Sequence, residues 1–243
     1  MSTPCRLVFD ASQATSSGYS LNDLLAKGQN NLNKLQEIII RWSMHRVGIH
    51  TDVRKMYNTI RLSPSDWCYQ RYVWEENLDP TKLPKEKVIK TLIYGVRSSG
   101  NQAQYALRKV AAMSRNQHPD VNDVVQEDIY VDDCISGAQS IDHAHNLADN
   151  LELVINKGGF QLKGVSFSGE EPLDKLTDDG ETIHVAGMRW FPKDDKLALN
   201  IGELNFAKKC RGKKSSNTVN IIPPKLTRRH CSSKVAEIFD LTN

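Results

Sequence analysis

Residues 124–136 run Val-Val-Gln-Glu-Asp-Ile-Tyr-Val-Asp-Asp-Cys-Ile-Ser. Val124–Val131 and Cys134–Ser136 predict two short strands flanking Asp132-Asp133, a hairpin with two carboxylates at its tip. About eighty residues upstream, Val47–Thr51 predicts a strand that runs straight into Asp52. If the two elements lie side by side in one sheet, three carboxylates converge at one edge. Hard oxygen ligands clustered in this way suit Mg²⁺, which takes one or two carboxylates together with substrate phosphate oxygens. Two such ions roughly 3.5–4 Å apart activate an attacking oxygen and stabilise a leaving one in phosphoryl transfer. Asp-Asp is equally a common turn dipeptide, and Asp at a strand end a common cap, so residue type alone leaves both readings open.

Outward from this centre, the elements alternate. Arg6–Phe9 is strand-like and breaks at Asp10-Ala11-Ser12. Leu32, Leu35, Ile38, Ile39 and Trp42 recur at helical spacing, predicting an amphipathic helix over Asn31–His45. Tyr69–Trp74 predicts a strand after the turn Ser63-Pro64-Ser65-Asp66, and Lys87–Tyr94 another that ends in Gly95. Ser98 or Ser99 can cap a helix with Ala103, Ala106, Leu107, Val110 and Ala111 on one face. A further stripe from Ile141 to Ile155 closes at Gly158-Gly159, and Ile183–Trp190 with Lys196–Asn200 predict a second hairpin turned at Pro192–Asp195. Strands mixed with helices and hairpins indicate an α+β domain with a mixed or antiparallel sheet packed on helices.

At 243 residues the chain can bury a sizeable core, as one large domain or two small ones. No run approaches the roughly 18 apolar residues of a membrane span, so no membrane partner is expected. MSTPCRLVFDAS lacks the apolar stretch of a secretory signal, which predicts an intracellular protein. Five cysteines without a CxxC pair indicate neither a zinc ribbon nor a disulfide framework, and His143 and His145 are spaced onto different faces of a helix. The charge is uneven. Leu204–Ala236 holds nine Lys/Arg and no acid, which leaves the rest of the +3 chain at −6. That block is either a solvated tail or a surface for a polyanion, most often nucleic acid. Glu170, Glu171, Asp174, Asp178, Asp179 and Glu181, with Pro172 and Gly180 among them, read as an exposed acidic loop.

Tyr130-Val131-Asp132-Asp133 resembles the YxDD box of reverse transcriptases. It is accompanied, in that family's order, by Arg6-Leu7-Val8-Phe9-Asp10, by Asp52 with Tyr57 five residues on, and by Tyr94-Gly95 before a helix. Gly159-Phe160 and Gly187-Met188-Arg189-Trp190 follow the box. VFDAS followed by SLNDLL, the YQRYVW strand, the AGMRW box and the closing LTRRHCSSKVAEIFDL are similar to the Pao/BEL group of long-terminal-repeat retrotransposons, over nearly the whole chain.

The resemblance implies a right-hand polymerase fold: fingers and palm over residues 1–200, and a basic connection over 201–243 toward a thumb that is absent or incomplete. It implies an RNA-directed DNA polymerase, a nucleotidyltransferase that joins a primer 3′-hydroxyl to the α-phosphorus of a deoxynucleoside triphosphate with two Mg²⁺ ions. Asp52 and Asp132 are then the direct metal ligands, Asp133 supports them, and the Val53 carbonyl completes one shell. Arg6 holds the triphosphate, Tyr57 is the steric gate beneath the sugar, and Tyr94 and Gly95 form the turn beside the incoming nucleotide. Met188, Arg189 and Trp190 correspond to a primer grip, and Lys208, Lys209, Arg211, Lys213 and Lys214 to a surface for an RNA or DNA template with its primer. Other parts of the same polyprotein would be partners, in a cytoplasmic particle. The chain departs from the family where Tyr94 replaces a common Gln, where Ser99-Gly100-Asn101 lacks a common Pro, and where only Lys163 stands as a loose candidate for a pyrophosphate proton donor. A silent nucleic-acid-binding palm remnant and a two-metal nuclease are the alternatives.

Overall fold

The computed structural model describes residues 8–75, 81, 83–170 and 182–199. In chain order the first half runs α1 (Leu21–Leu24), α2 (Leu35–Ser43), β1 (Val47–Val53), α3 (Met56–Thr59), a 3₁₀ helix (Pro64–Tyr69), β2 (Arg71–Trp74) and β3 (Lys85–Val88). The second half runs α4 (Ser99–Met113), α5 (Pro119–Glu127), β4 (Ile129–Tyr130), β5 (Asp133–Ala138), α6 (Ile141–Asn156), β6 (Leu162–Phe167), β7 (Ile183–Val185), β8 (Met188–Phe191) and β9 (Lys196–Leu199). The strands form three antiparallel sheets, ordered β4-β5-β1-β6, β2-β3 and β7-β8-β9. This is an α+β architecture.

The four-stranded sheet is packed on both faces, which is why β1 and β5 are buried along almost their whole length. Alternation along β5 sends Cys134 to one face and Ile135 to the other. Cys134 joins Leu107, Ala111, Val121, Val125, Val154, Ile155 and Phe160, the apolar stripes of α4, α5 and α6. Ile135 joins Ile38 and Trp42 of α2 and Ile183, Val185 and Trp190 of the three-stranded sheet. Each fully buried Ile, Leu or Phe contributes roughly 1.5–3 kcal/mol through the area it removes from water.

Several elements differ from the sequence expectation for local physical reasons. The helix expected over Asn31–His45 begins only at Leu35. Asn30 Oδ1 accepts from the Leu32 N–H, and Asn33 donates to the carbonyls of Gln126 and Ile129, so asparagine side chains hold this stretch outside the helix. Val124–Glu127 is helical rather than strand: Pro119 opens α5, and Val121, Val124 and Val125 are spaced onto its buried face. The strand expected over Lys87–Tyr94 is confined to Lys85–Val88, with Thr91 and Tyr94 making single bridges to Arg61 and Val8. Neither Ser98 nor Ser99 caps α4 with its side chain. Ile183–Trp190 is split by a two-residue turn, Ala186-Gly187, both at positive φ, so the second hairpin is a three-stranded meander. Of the expected acidic loop, residues 171–181 lie outside the described residues, as do Asn200 and the basic block.

Candidate active site

β1 and β5 are direct neighbours, and Asp52 and Asp133 are paired across them. Asp132 stands one residue earlier, in the turn that joins β4 to β5. Tyr130 pairs with Asp133, so that turn has only two central residues, Val131 and Asp132. The Val53 N–H donates to the Asp132 carbonyl at 2.8 Å, tying the turn to the end of β1. The three carboxylates expected to converge therefore share one sheet edge, although Asp133 belongs to the strand rather than to the hairpin tip.

Val131 has φ +57°, an unusual conformation for a β-branched residue. The buried Gln104 of α4 donates a short hydrogen bond to the Val131 carbonyl and so pins the turn. On the other side of β1, the pairing with β6 shifts register between Thr51 and Asp52 and sets Lys163 opposite Asp52. A register shift of this kind re-aims one side chain without disturbing its neighbours.

The electrostatics follow from this crowding. Burial, then the neighbouring charges of Asp132 and Asp133, push the Asp52 carboxyl up from its ordinary 3.8 to about 6, against smaller opposing pulls from Lys163 and His50. Its Oδ1 is buried and receives no hydrogen bond from the protein. A buried carboxylate oxygen without a donor, among like charges, is an unmet demand for a cation. Among the described residues no three His, Cys, Asp or Glu side chains form a ready-made metal cage. A Mg²⁺ that draws most of its shell from phosphates and water needs none, and the hard-oxygen donor set fits it.

Beside this edge is a cavity of about 240 Å³, walled by Tyr57, Arg97, Gly100, Asn101, Gln104 and Val131, and by the segment Lys27–Leu32. Tyr57 enters from α3. Its ring lies 4.5 Å from that of Tyr94, and burial followed by the charge of Asp132 raises its phenol above the ordinary range. The 27–32 segment is fastened to the start of α4: Asn31 donates to Asn101 Oδ1 at 2.6 Å, and Asn101 donates to the Lys27 carbonyl at 3.5 Å. Gly28 allows this approach, since a Cβ there would fall 2.0 Å from Asn101 Nδ2. Gly95 makes the turn before α4 at φ +96°, directly against the Phe9 backbone.

The residues expected to act together are thus gathered in part. Asp52, Val53, Asp132 and Asp133 share the edge, Tyr57 lines the cavity, and Tyr94 stands against the Tyr57 ring. Met188 and Trp190 are buried in the core, which leaves Arg189 as the half-exposed member of that trio. Arg6, Lys208, Lys209, Arg211, Lys213 and Lys214 lie outside the described residues. Sequence reading gave no site role to Gln104, Arg97, Asn101, the 27–32 segment or His50. Gln104 was detectable as a polar residue inside the apolar stripe of α4, and His50 as the residue two before Asp52 on the same strand face. Compared with known proteins, the chain matches no family profile and no curated sequence.

Proposed function

We propose that this chain is the fingers and palm core of a reverse transcriptase, an RNA-directed DNA polymerase of a Pao/BEL-type retrotransposon, with the four-stranded sheet as its palm. The observation that carries the reading is the pairing of Asp52 with Asp133 across β1 and β5, with Asp132 in the adjoining turn and a cavity lined by Tyr57 alongside. Asp52 and Asp132 would hold two Mg²⁺ ions, with the Val53 carbonyl completing one shell. When bound, the ions lower the pKa of the attacking hydroxyl and neutralise charge on the transferring phosphoryl group.

The protein's own part is positioning. The two-residue turn, held by Gln104 and by the Val53 N–H, fixes where Asp132 presents its carboxylate. Asp133 adds negative charge from β5, and Lys163 opposite Asp52 partly offsets it. Tyr57 lines the cavity and would act as the steric gate, its ring set against a ribose 2′-hydroxyl.

The test is primer extension by the full chain on an RNA template with Mg²⁺ and deoxynucleotides. Extension that disappears in Asp132→Asn/Asp133→Asn supports the reading. Salt-sensitive template binding without extension would replace it with a silent binding module. Internal cleavage of the template in place of extension would point to a nuclease. A second expectation concerns Tyr57. Tyr57→Ala should raise ribonucleotide incorporation relative to deoxyribonucleotide by at least about tenfold, the scale of roughly 1.4 kcal/mol of differential fit. Competition assays with matched ribo- and deoxynucleotides measure it, and an unchanged ratio would remove Tyr57 from the role.

A further inference from the structure

His50 precedes Asp52 by two residues on β1, so both side chains project from the same face of the sheet. The imidazole is only 4% exposed, and its Nε2 lies 3.2 Å from Oδ1 of Asp133. An ionised carboxylate can only accept, so Nε2 carries the hydrogen in this contact. Trp190 of β8 stands edge-on to the imidazole, with centroids 6.5 Å apart. Trp190 is itself locked, 1% exposed, T-packed on Trp42 at 5.0 Å, with its indole N–H 3.3 Å from Asp195 Oδ1. The imidazole thus cannot swing away from Asp133 without disturbing the core between α2 and the β7-β8-β9 sheet.

A central strand position packed on both faces ordinarily takes Val or Ile, which bury cheaply and suit the pleat. A buried imidazole costs free energy unless it is hydrogen-bonded. Here that bond goes to one of the three carboxylates of the site.

We propose that His50 is a positioning residue: it holds the Asp133 carboxylate in place and, braced by Trp190, makes the geometry of the metal-holding edge depend on the β7-β8-β9 sheet. This rests on the two-metal reading above and adds how one of its carboxylates is oriented. With one oxygen engaged by the imidazole, Asp133 has less to give a cation than Asp52, whose Oδ1 receives no hydrogen bond from the protein, and this fits a supporting role. Partners of this outer kind typically govern metal affinity or activity by about 10- to 100-fold.

The test uses the full chain and Mn²⁺ as a paramagnetic stand-in, with binding read by electron paramagnetic resonance without nucleotide. His50→Phe keeps a ring against Trp190 and removes the donor, and His50→Leu is the smaller alternative if Phe overpacks. Either should weaken Mn²⁺ binding by about tenfold and lower kcat, with little change in KM for the deoxynucleotide. His50→Gln, which can still donate, should recover most of the loss, and Trp190→Phe should shift affinity in the same direction by less. On the wild-type chain, Mg²⁺ should move the imidazole ¹⁵N resonances of His50. A folded His50→Phe or His50→Leu with wild-type Mn²⁺ affinity and kcat overturns the proposal, as do His50 resonances that stay fixed through Mg²⁺ saturation. A wild-type chain that binds no Mn²⁺ even with a deoxynucleoside triphosphate present overturns the two-metal reading itself, so the two failures are told apart.

Discussion

Asp52→Asn should abolish primer extension and, at the same time, raise the melting temperature of the metal-free protein at pH 8. The loss of activity, on the order of 10³-fold or more, follows from removing a metal ligand at the reacting centre. The gain in stability has a separate origin. The folded Asp52 carboxyl titrates near 6 because it is buried and faces Asp132 and Asp133, whereas its ordinary value is 3.8. Between those values the folded chain keeps a proton that the unfolded chain has released. Stability therefore falls as the pH rises through this window, and the full penalty stands above about 6. Two pH units would correspond to nearly 3 kcal/mol, but solvent reaches part of this carboxyl, which reduces the figure to about 1–2 kcal/mol. For a chain of this length that amounts to a rise of about 2–8 °C.

Thermal melts of the wild type and Asp52→Asn at pH 8 and at pH 3.5 check both the sign and the window. The variant should melt higher at pH 8, and the gap should nearly close at pH 3.5, where the folded wild type holds the proton and most of the unfolded chain does too. Mg²⁺ should close the gap at pH 8 by stabilising only the wild type. A variant that melts lower at pH 8 would mean that Asp52 is satisfied by groups in the protein and imposes no cost on the fold. The same carboxylate would then no longer be an unmet demand for a cation.

The trade of stability against a charged edge also explains which parts of the molecule were legible in the sequence. Strand β1 was readable because β-branched Val47, Ile49 and Thr51 stand at alternate positions, and the pairing that brings Asp52 beside Asp133 needed only the conjecture that the two strands are neighbours. Helices α4 and α6 were readable from their 3.6-residue periodicity. The errors cluster where side chains compete with backbone periodicity. Asn30 and Asn33 carry hydrogen bonds that hold the chain out of α2 until Leu35, although the apolar spacing continues through Leu32. Val124 and Val125 have strand propensity, but Pro119 and the burial of Val121 commit them to α5. His50 was legible only as a polar residue two before Asp52 on the same strand face. A lone histidine in an apolar strand carries no periodic signal, and its meaning arises only when β5 is laid beside β1 and β8 behind both. Likewise the wall formed by Lys27–Leu32 depends on Gly28 meeting Asn101, seventy-three positions away, a contact that no local pattern encodes.

Gly95→Ala should be among the most damaging single-methyl changes available in the described chain. Gly95 sits at φ +96°, and a Cβ there would lie 1.8 Å from the Phe9 carbonyl oxygen and 2.9 Å from its carbon. The obstacle is backbone, held in place by the Phe9 N–H donating to the Tyr94 carbonyl at 2.9 Å and by the parallel bridge between Val8 and Tyr94. The Gly95 carbonyl also accepts from Asn22 Nδ2 at 2.9 Å, while Asn22 Oδ1 accepts from the Arg97 N–H at 2.8 Å, so the loop cannot shift as a free unit. Positive φ alone costs an alanine about 1–2 kcal/mol. Forcing the two backbones apart adds to that, for a total of roughly 3–5 kcal/mol, in the range reserved for changes with an identifiable steric cause. Gly187→Ala is the control that separates the two terms, because Gly187 has φ +84° and nothing within 4 Å of its Cβ position. Chemical denaturation should show Gly187→Ala losing only the conformational part, about 1–2 kcal/mol, and Gly95→Ala losing at least twice as much. Gly95→Ala should also release the Tyr94 ring from Tyr57 and so impair nucleotide binding before global unfolding sets in. Equal losses for the two variants would mean that the Phe9 segment yields freely, and that the turn before α4 is not what fixes the cavity beside Asp52.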